Sequence, residues 1–146
     1  MIAITFATAC HAADIHSIEQ QSFSAPWSVN SILEEIAHKH SVCLVAHSNN
    51  KVVGHISMRH VINEGHISNI AVLPSYRGQG IGSQLLQALT EEAIKREMIG
   101  LTLEVRTGNH AAIGLYTKFG FATEGYRKNY YSLPTEDAAI MWKYII

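Results

Sequence analysis

Hydrophobic and polar positions alternate along Ile2–Ala7, with Ile2, Ile4 and Phe6 set against Ala3 and Thr5, and this two-residue period predicts a strand. From His11 to about Phe23 the period lengthens. Ile15, Ile18 and Phe23 fall on or near one side of a helix that Pro26 breaks. Ser28 is placed to cap a second helix whose apolar stripe is Val29, Ile32, Leu33 and Ile36. Val42–Ala46 and Val52 to about Val61 read as strands joined by the turn Ser48-Asn49-Asn50-Lys51, which makes a hairpin. His66–Leu73 is a further strand, ended by Pro74. A strong helix runs from about Gly80 to Glu97, with Ile81, Leu85, Leu86, Leu89 and Ile94 at helical spacing and Gly100 beyond it as a terminator. Leu101–Arg106 is a strand, and Asn109–Phe119 is a helix with Gly120 where a C′ residue belongs. Phe121–Arg127 and Ala138–Ile145 are the last two strands. The order β-α-α-β-β-β-α-β-α-β-β predicts an α/β chain with one mixed sheet and helices on both faces.

The chain has 146 residues, without repeats, linkers or low-complexity segments, and a single domain over 1–146 is expected. With 47% hydrophobic and 16% charged residues it has a globular composition. A net charge of −1 argues against nucleic acid as the main partner, which leaves a basic footprint. The charge is unevenly spread. Residues 1–38 hold Asp14, Glu19, Glu34 and Glu35 and no Lys or Arg, so every base lies later in the chain. Such asymmetry suits a face aimed at a basic partner, and equally suits two ordinary solvated helices. No apolar run approaches the roughly 18 residues of a membrane span. Met1–Cys10 lacks the basic flank of an export signal, so a cytoplasmic protein is expected. Two cysteines, Cys10 and Cys43, imply no disulfide framework. Nine histidines show no ligand spacing such as H-E-x-x-H, and no metal is expected.

The chemistry concentrates around Gly78, Gly80 and Gly82, which lie between a strand and a helix. Unpaired N–H groups and the dipole of a helix N-terminus suit a phosphate there, and glycine lets the backbone approach it. The same cluster also serves as a plain tight turn. No Gly-Lys-Ser/Thr follows, so this is not a P-loop, and Ser83 stands where a Rossmann fingerprint would need glycine.

The segment Arg77-Gly78-Gln79-Gly80-Ile81-Gly82 resembles the R/Q-x-x-G-x-G/A loop of the Gcn5-related N-acetyltransferases (GNAT). Asn69-Ile70-Ala71-Val72-Leu73-Pro74-Ser75-Tyr76 before it is similar to that family's preceding strand. Leu103-Glu104-Val105-Arg106, Asn109 and Leu115-Tyr116-Thr117-Lys118-Phe119-Gly120-Phe121 extend the match. Three further segments resemble the ribosomal-protein-alanine N-acetyltransferase (RimI) branch: Ile18-Glu19 with Ala25-Pro26-Trp27-Ser28, Arg127-Lys128-Asn129-Tyr130-Tyr131, and Glu136-Asp137-Ala138-Ala139-Ile140-Met141.

The resemblance implies a GNAT fold with a central, mostly antiparallel sheet. It implies acetyl-CoA as co-substrate and a primary amine as acceptor, joined by direct attack. Ile70, Ala71 and Val72 would lie along the pantetheine arm, with the N–H of Val72 on the thioester oxygen. Gly78, Gln79, Gly80, Ile81, Gly82 and Ser83 would wrap the pyrophosphate, and Asn109 would contact CoA. Glu104 would be the general base and Tyr116 the general acid. Each residue also has a structural reading: Glu104 on a solvated strand face, Tyr116 in the core, Asn109 as an N-cap. The branch implies the N-terminal alanine of a small-subunit ribosomal protein as acceptor, with Glu19 and the Pro26-Trp27 turn on one side of its groove and Tyr130 and Tyr131 on the other. A lysine, a small-molecule amine, or CoA binding without turnover are the alternatives at this point.

Overall fold

A computed structural model describes residues 1–145. The strands are β1 (Ile2–Phe6), β2 (Ser41–Ser48), β3 (Lys51–Val61), β4 (Glu64–Val72), β5 (Gly100–Arg106), β6 (Ala122–Tyr131) and β7 (Glu136–Tyr144). The helices are α1 (Ala12–Gln20), α2 (Val29–Ala37), α3 (Ile81–Lys95) and α4 (His110–Lys118). Their order along the chain is the one the periodicity predicts. All seven strands form one sheet in the order β1-β2-β3-β4-β5-β7-β6. Every neighbouring pair is antiparallel except β4 and β5.

β3 is buried on both faces from Val52 to Met58, which requires a layer on each side of the sheet. A Cβ added at Gly54 would lie 3.2 Å from Leu85 Cδ1, so the missing side chain is what lets α3 close on one face. His55, the next residue and therefore on the opposite face, bonds Glu19 of α1. On the α3 side the core is built from Ile81, Leu85, Leu86, Leu89 and Ala93, and on the other from Ala12, Ile15, Ile18 and Ile32. Ile94, expected in the α3 stripe, is exposed, and Ala93 takes the inward position. No helix among the described residues is long and apolar enough to cross a membrane.

Several boundaries differ from expectation by two or more residues, among them those of α1, β4, β6 and β7. α1 ends at Gln20 rather than near Phe23, because the N–H groups of Ser22 and Phe23 both turn back onto the Glu19 carbonyl at 3.1 and 2.9 Å. β4 begins two residues before His66. β6 runs beyond Arg127 to Tyr131. Its ladder slips between Arg127 and Tyr131, where Asn129 adopts φ +54° and its N–H donates to Asp137 Oδ1 at 2.9 Å. A polar run exposed on both sides carries no two-residue signal, so the sequence pattern stops short of it.

The β4–β5 junction positions the site. These strands pair only over Glu64–His66 with Gly100–Thr102. Ser57 then faces Asn69 while Met58 faces Ile67, which leaves Ser68 as the extra residue of a bulge. A bulge bends its strand, and β4 stays with β3 while β5 continues beside β7. A wedge opens in the sheet between Ile67–Val72 and Leu103–Arg106.

Candidate active site

The Leu73 N–H donates to the Val53 carbonyl at 2.8 Å. Alternation along a strand turns the Ala71 N–H the same way, toward β3, and the N–H groups of Ile70 and Val72 into the wedge. The Val72 carbonyl faces the wedge as well and accepts from Arg77 Nε at 2.9 Å, while Arg77 Nη2 donates to Ser22 Oγ at 3.2 Å. Arg77 thus ties the end of β4 to the end of α1.

The glycine loop follows directly. Gly78 and Gly80 have φ of +79° and +81°, the left-handed region that glycine enters without a Cβ penalty. Gly80 is the N-cap of α3 and supplies no side-chain cap, so the first N–H groups of this 15-residue helix look outward. Gln79 is exposed and Gly82 and Ser83 half-buried, whereas the Ile81 side chain is in the core and only its backbone belongs to the loop. Asn109 caps α4, its side-chain oxygen accepting from the Ala112 N–H at 3.2 Å. Its structural reading therefore holds, and it stands at the helix start nearest the far end of β5.

Glu104 lies in the middle of β5 with its side chain 13% exposed. His66 Nε2 of β4 is 2.5 Å from its Oε2, and Arg127 Nε of β6 is 3.5 Å from its Oε1. Tyr116, on α4, is 5% exposed and packs on Phe121 with ring centroids 5.8 Å apart. Burial, reinforced by the phenol of Tyr131, pushes Tyr116 well above the usual tyrosine range. Tyr131 is itself pushed up to about 12, by burial first, then by Tyr130 and by the Glu104 carboxylate. Tyr131 therefore sits within electrostatic reach of both Glu104 and Tyr116, and both phenols stay protonated through neutral pH.

Two networks frame this centre. Arg106 gathers the β6–β7 loop, donating to the carbonyls of Pro134 (2.8 Å) and Ser132 (3.1 Å) and to Glu136 (3.2 Å), and reaching Ser24 Oγ at 3.4 Å. Its guanidinium lies 4.5 Å from the Tyr131 ring centroid. Inside, Glu19 is fully buried. Its carboxylate accepts from the Trp27 N–H (3.1 Å) and from Asn69 Nδ2 (2.9 and 2.8 Å), and pairs with His55 Nε2 (2.9 Å). Burial alone would raise this carboxyl, but the His55 bond and charge, the Asn69 amide and the Trp27 N–H outweigh it and hold it below the ordinary value. Glu19 thus acts from inside the fold, holding the turn before α2 against the bulge of β4.

The glycine pattern brought the loop into view, and the resemblance to the GNAT family pointed to Glu104 and Tyr116. They did not reveal His66 and Arg127 as partners of Glu104, or the Glu19–His55–Asn69 cluster. Both depend on which strands lie side by side, and no local period encodes that. Among the described residues, no group of three or more His, Cys, Asp or Glu is arranged to hold a metal ion.

The sequence pattern of the acetyltransferase (GNAT) family matches residues 12–121. The ribosomal protein bS18-alanine N-acetyltransferase of Escherichia coli strain K12 is 38% identical over 130 residues, 86% of this chain and 86% of that protein. The crystal structure of the ribosomal-protein-S18-alanine N-acetyltransferase from Escherichia coli superposes with a TM-score of 0.93 at 34% identity, covering 99% of this chain and 94% of that one. Arabidopsis thaliana Naa50, solved with the bisubstrate analogue CoA-Ac-MVNAL, matches with a TM-score of 0.85 at 26% identity over 97% of each chain. A sheet that opens between its two parallel strands, a glycine-led helix at the end of the opening and a family match across most of the chain agree: the chain belongs to the GNAT family and is an acetyl-CoA-dependent N-acetyltransferase.

Proposed function

We propose that the protein transfers the acetyl group of acetyl-CoA to the N-terminal amine of a small-subunit ribosomal protein, an alanine, in the cytoplasm. The observation that carries the reading is the wedge. It offers strand N–H groups that make no ladder bond to β5, and it ends at an uncapped helix N-terminus. An extended thioester arm fits between such strands, and a diphosphate fits such a helix end. Ile70 and Val72 would bond the arm, with Ala71 spanning between them, its own N–H turned to β3. The Val72 N–H would face the thioester oxygen, where a fixed donor gains value as negative charge develops. Gly78, Gln79, Gly80, Ile81, Gly82 and Ser83 would take the pyrophosphate through backbone N–H groups, and Asn109 would contact CoA from the start of α4.

Glu104 would remove the amine's proton, directly or through one water. Tyr116 would protonate the departing thiolate. Its burial keeps the phenol in the acid form, and the same dry surroundings raise the proton affinity of the thiolate beside it. A peptide α-amine has a pKa near ~7.7–8.0 against ~10.4 for lysine, so one carboxylate base suits an α-amine better. The identity of the relatives' acceptor supports alanine at its first position. Of the four acids in residues 1–38, Asp14 and Glu34 are exposed and available to a basic acceptor, whereas Glu19 and Glu35 are buried and paired inside the fold. The test offers acetyl-CoA with basic peptides that differ only at residue one and locates the acetyl group by mass spectrometry. Acetylation at the α-amine, fastest with alanine, is expected; modification of internal lysines alone would overturn the reading.

The loop gives a second expected result. Gly80→Ala meets no atom within 4 Å, so nothing clashes, but a Cβ at φ +81° costs about 1–2 kcal/mol and stands where the pyrophosphate would approach. The KM for acetyl-CoA should rise about tenfold, with kcat at saturation near that of the parent protein. Steady-state kinetics against acetyl-CoA check this.

A further inference from the structure

His66 is the last residue of β4 that still pairs with β5, opposite Thr102, and the wedge opens immediately after it. Its side chain is 42% exposed, whereas that of Glu104 is 13% exposed. The imidazole therefore stands at the closed end of the wedge, with Nε2 on the carboxylate at 2.5 Å and the rest of the ring toward solvent. At that separation a proton must lie between nitrogen and oxygen, because two lone pairs facing each other would repel.

We propose that His66 is a positioning residue for acetyl transfer: it fixes the Glu104 carboxylate at the head of the wedge. The proposal rests on Glu104 being the base. A glutamate on a strand has several rotamers, and a ring held on the neighbouring strand selects one of them. A neutral imidazole donates its N–H and leaves the carboxylate able to accept a proton on its other oxygen.

The charged groups around this pair come from three strands. On β3, Arg59 is the cross-strand partner of His66 and is held by Glu35 at 2.7 Å. On β5 stands Glu104 itself. On β6, Arg127 lies 3.5 Å from Glu104 Oε1, and Tyr131 feels the Glu104 charge. The two arginines stay cationic and Tyr131 stays protonated to about 12.

The test compares steady-state kinetics of His66→Gln, His66→Ala and Glu104→Gln on the full chain. Glutamine supplies an N–H donor in place of the ring, and alanine supplies none. At pH 8, His66→Gln should keep kcat within about threefold of the parent, and His66→Ala should lose roughly 10- to 100-fold, the span for a lost hydrogen bond to a charged group. The KM for acetyl-CoA should be unchanged in both. His66→Ala within threefold of the parent, or His66→Gln as slow as His66→Ala, overturns the proposal while leaving Glu104 as the base. Full turnover in Glu104→Gln overturns the base assignment itself, whatever residue stands at 66.

Discussion

Glu104→Gln is expected to lower kcat by about 10²–10³, with the KM for acetyl-CoA within about twofold of the parent, because general-base catalysis contributes roughly that much. Glutamine keeps the volume of glutamate and its amide oxygen can still accept from His66 or Arg127, so the strand and its neighbours stay in place. What it loses is the ability to take a proton from the amine. At neutral pH most of an α-amine with a pKa near ~7.7–8.0 is ammonium, which cannot attack a thioester, and the missing base has no substitute on β5. Tyr116→Phe should cost less, about tenfold, since a thiol with a pKa near ~8.5 leaves acceptably as thiolate. Removing the buried hydroxyl leaves the ring packed on Phe121. Neither side chain belongs to the loop at 78–83, so isothermal titration with CoA should give nearly unchanged affinity for both variants. Near-parental kcat in both would remove the two assignments, and weakened CoA binding in both would show that the losses arise from the fold.

The parts of this site that were legible in the sequence are those encoded within a few residues. Gly78 and Gly80 announce themselves because a left-handed backbone between a strand and a helix calls for glycine, and both do have positive φ. Asn109 and Ser28 read as caps from their place before an apolar stripe, and both accept a backbone N–H there. β3 is legible as a strand, but its burial on both faces follows from having α3 on one side and α1 on the other. Ile94 shows the limit of a periodic count: the buried stripe of α3 runs through Ile81, Leu85, Leu89 and Ala93, and Ile94, one residue further round the helix, is exposed. The parting of β4 from β5 rests on one bulged residue, Ser68, which has no compositional mark. The His66–Glu104 contact joins residues 38 apart in sequence across that junction. Glu19 illustrates the reverse case. The family resemblance implies that Glu19 and the Pro26-Trp27 turn border the acceptor groove, and the structure adds that Glu19 is a fully buried charge whose effect passes through Trp27 and Asn69.

That burial makes Glu19→Ala the substitution with the largest expected effect on stability. Truncation leaves His55, the Asn69 amide and the Trp27 N–H without their shared acceptor in a dry interior. Breaking a buried pair by removing one partner costs about 3–5 kcal/mol, a large part of the ~5–15 kcal/mol that holds a domain together. For a chain of this size the melting temperature should fall by roughly 10 °C. Glu19→Gln retains an acceptor for Trp27 or Asn69 and should cost about half as much. The parent protein adds a pH signature. The folded carboxyl lies below its unfolded value of 4.5, so its stabilising contribution is complete above that value and is lost as pH falls through the lower, folded one. Thermal melts from pH 7 down to pH 3 should therefore fall more steeply in the parent than in Glu19→Gln, which has no proton to gain there. Parallel curves would show that Glu19 carries no net stabilising charge. The cluster also ties the turn at Trp27 to the bulge that opens the wedge. Glu19→Gln, assayed at a temperature where it is fully folded, should consequently raise the acceptor KM more than it lowers kcat, since the residues it releases frame the opening while Glu104 and Tyr116 stay on β5 and α4.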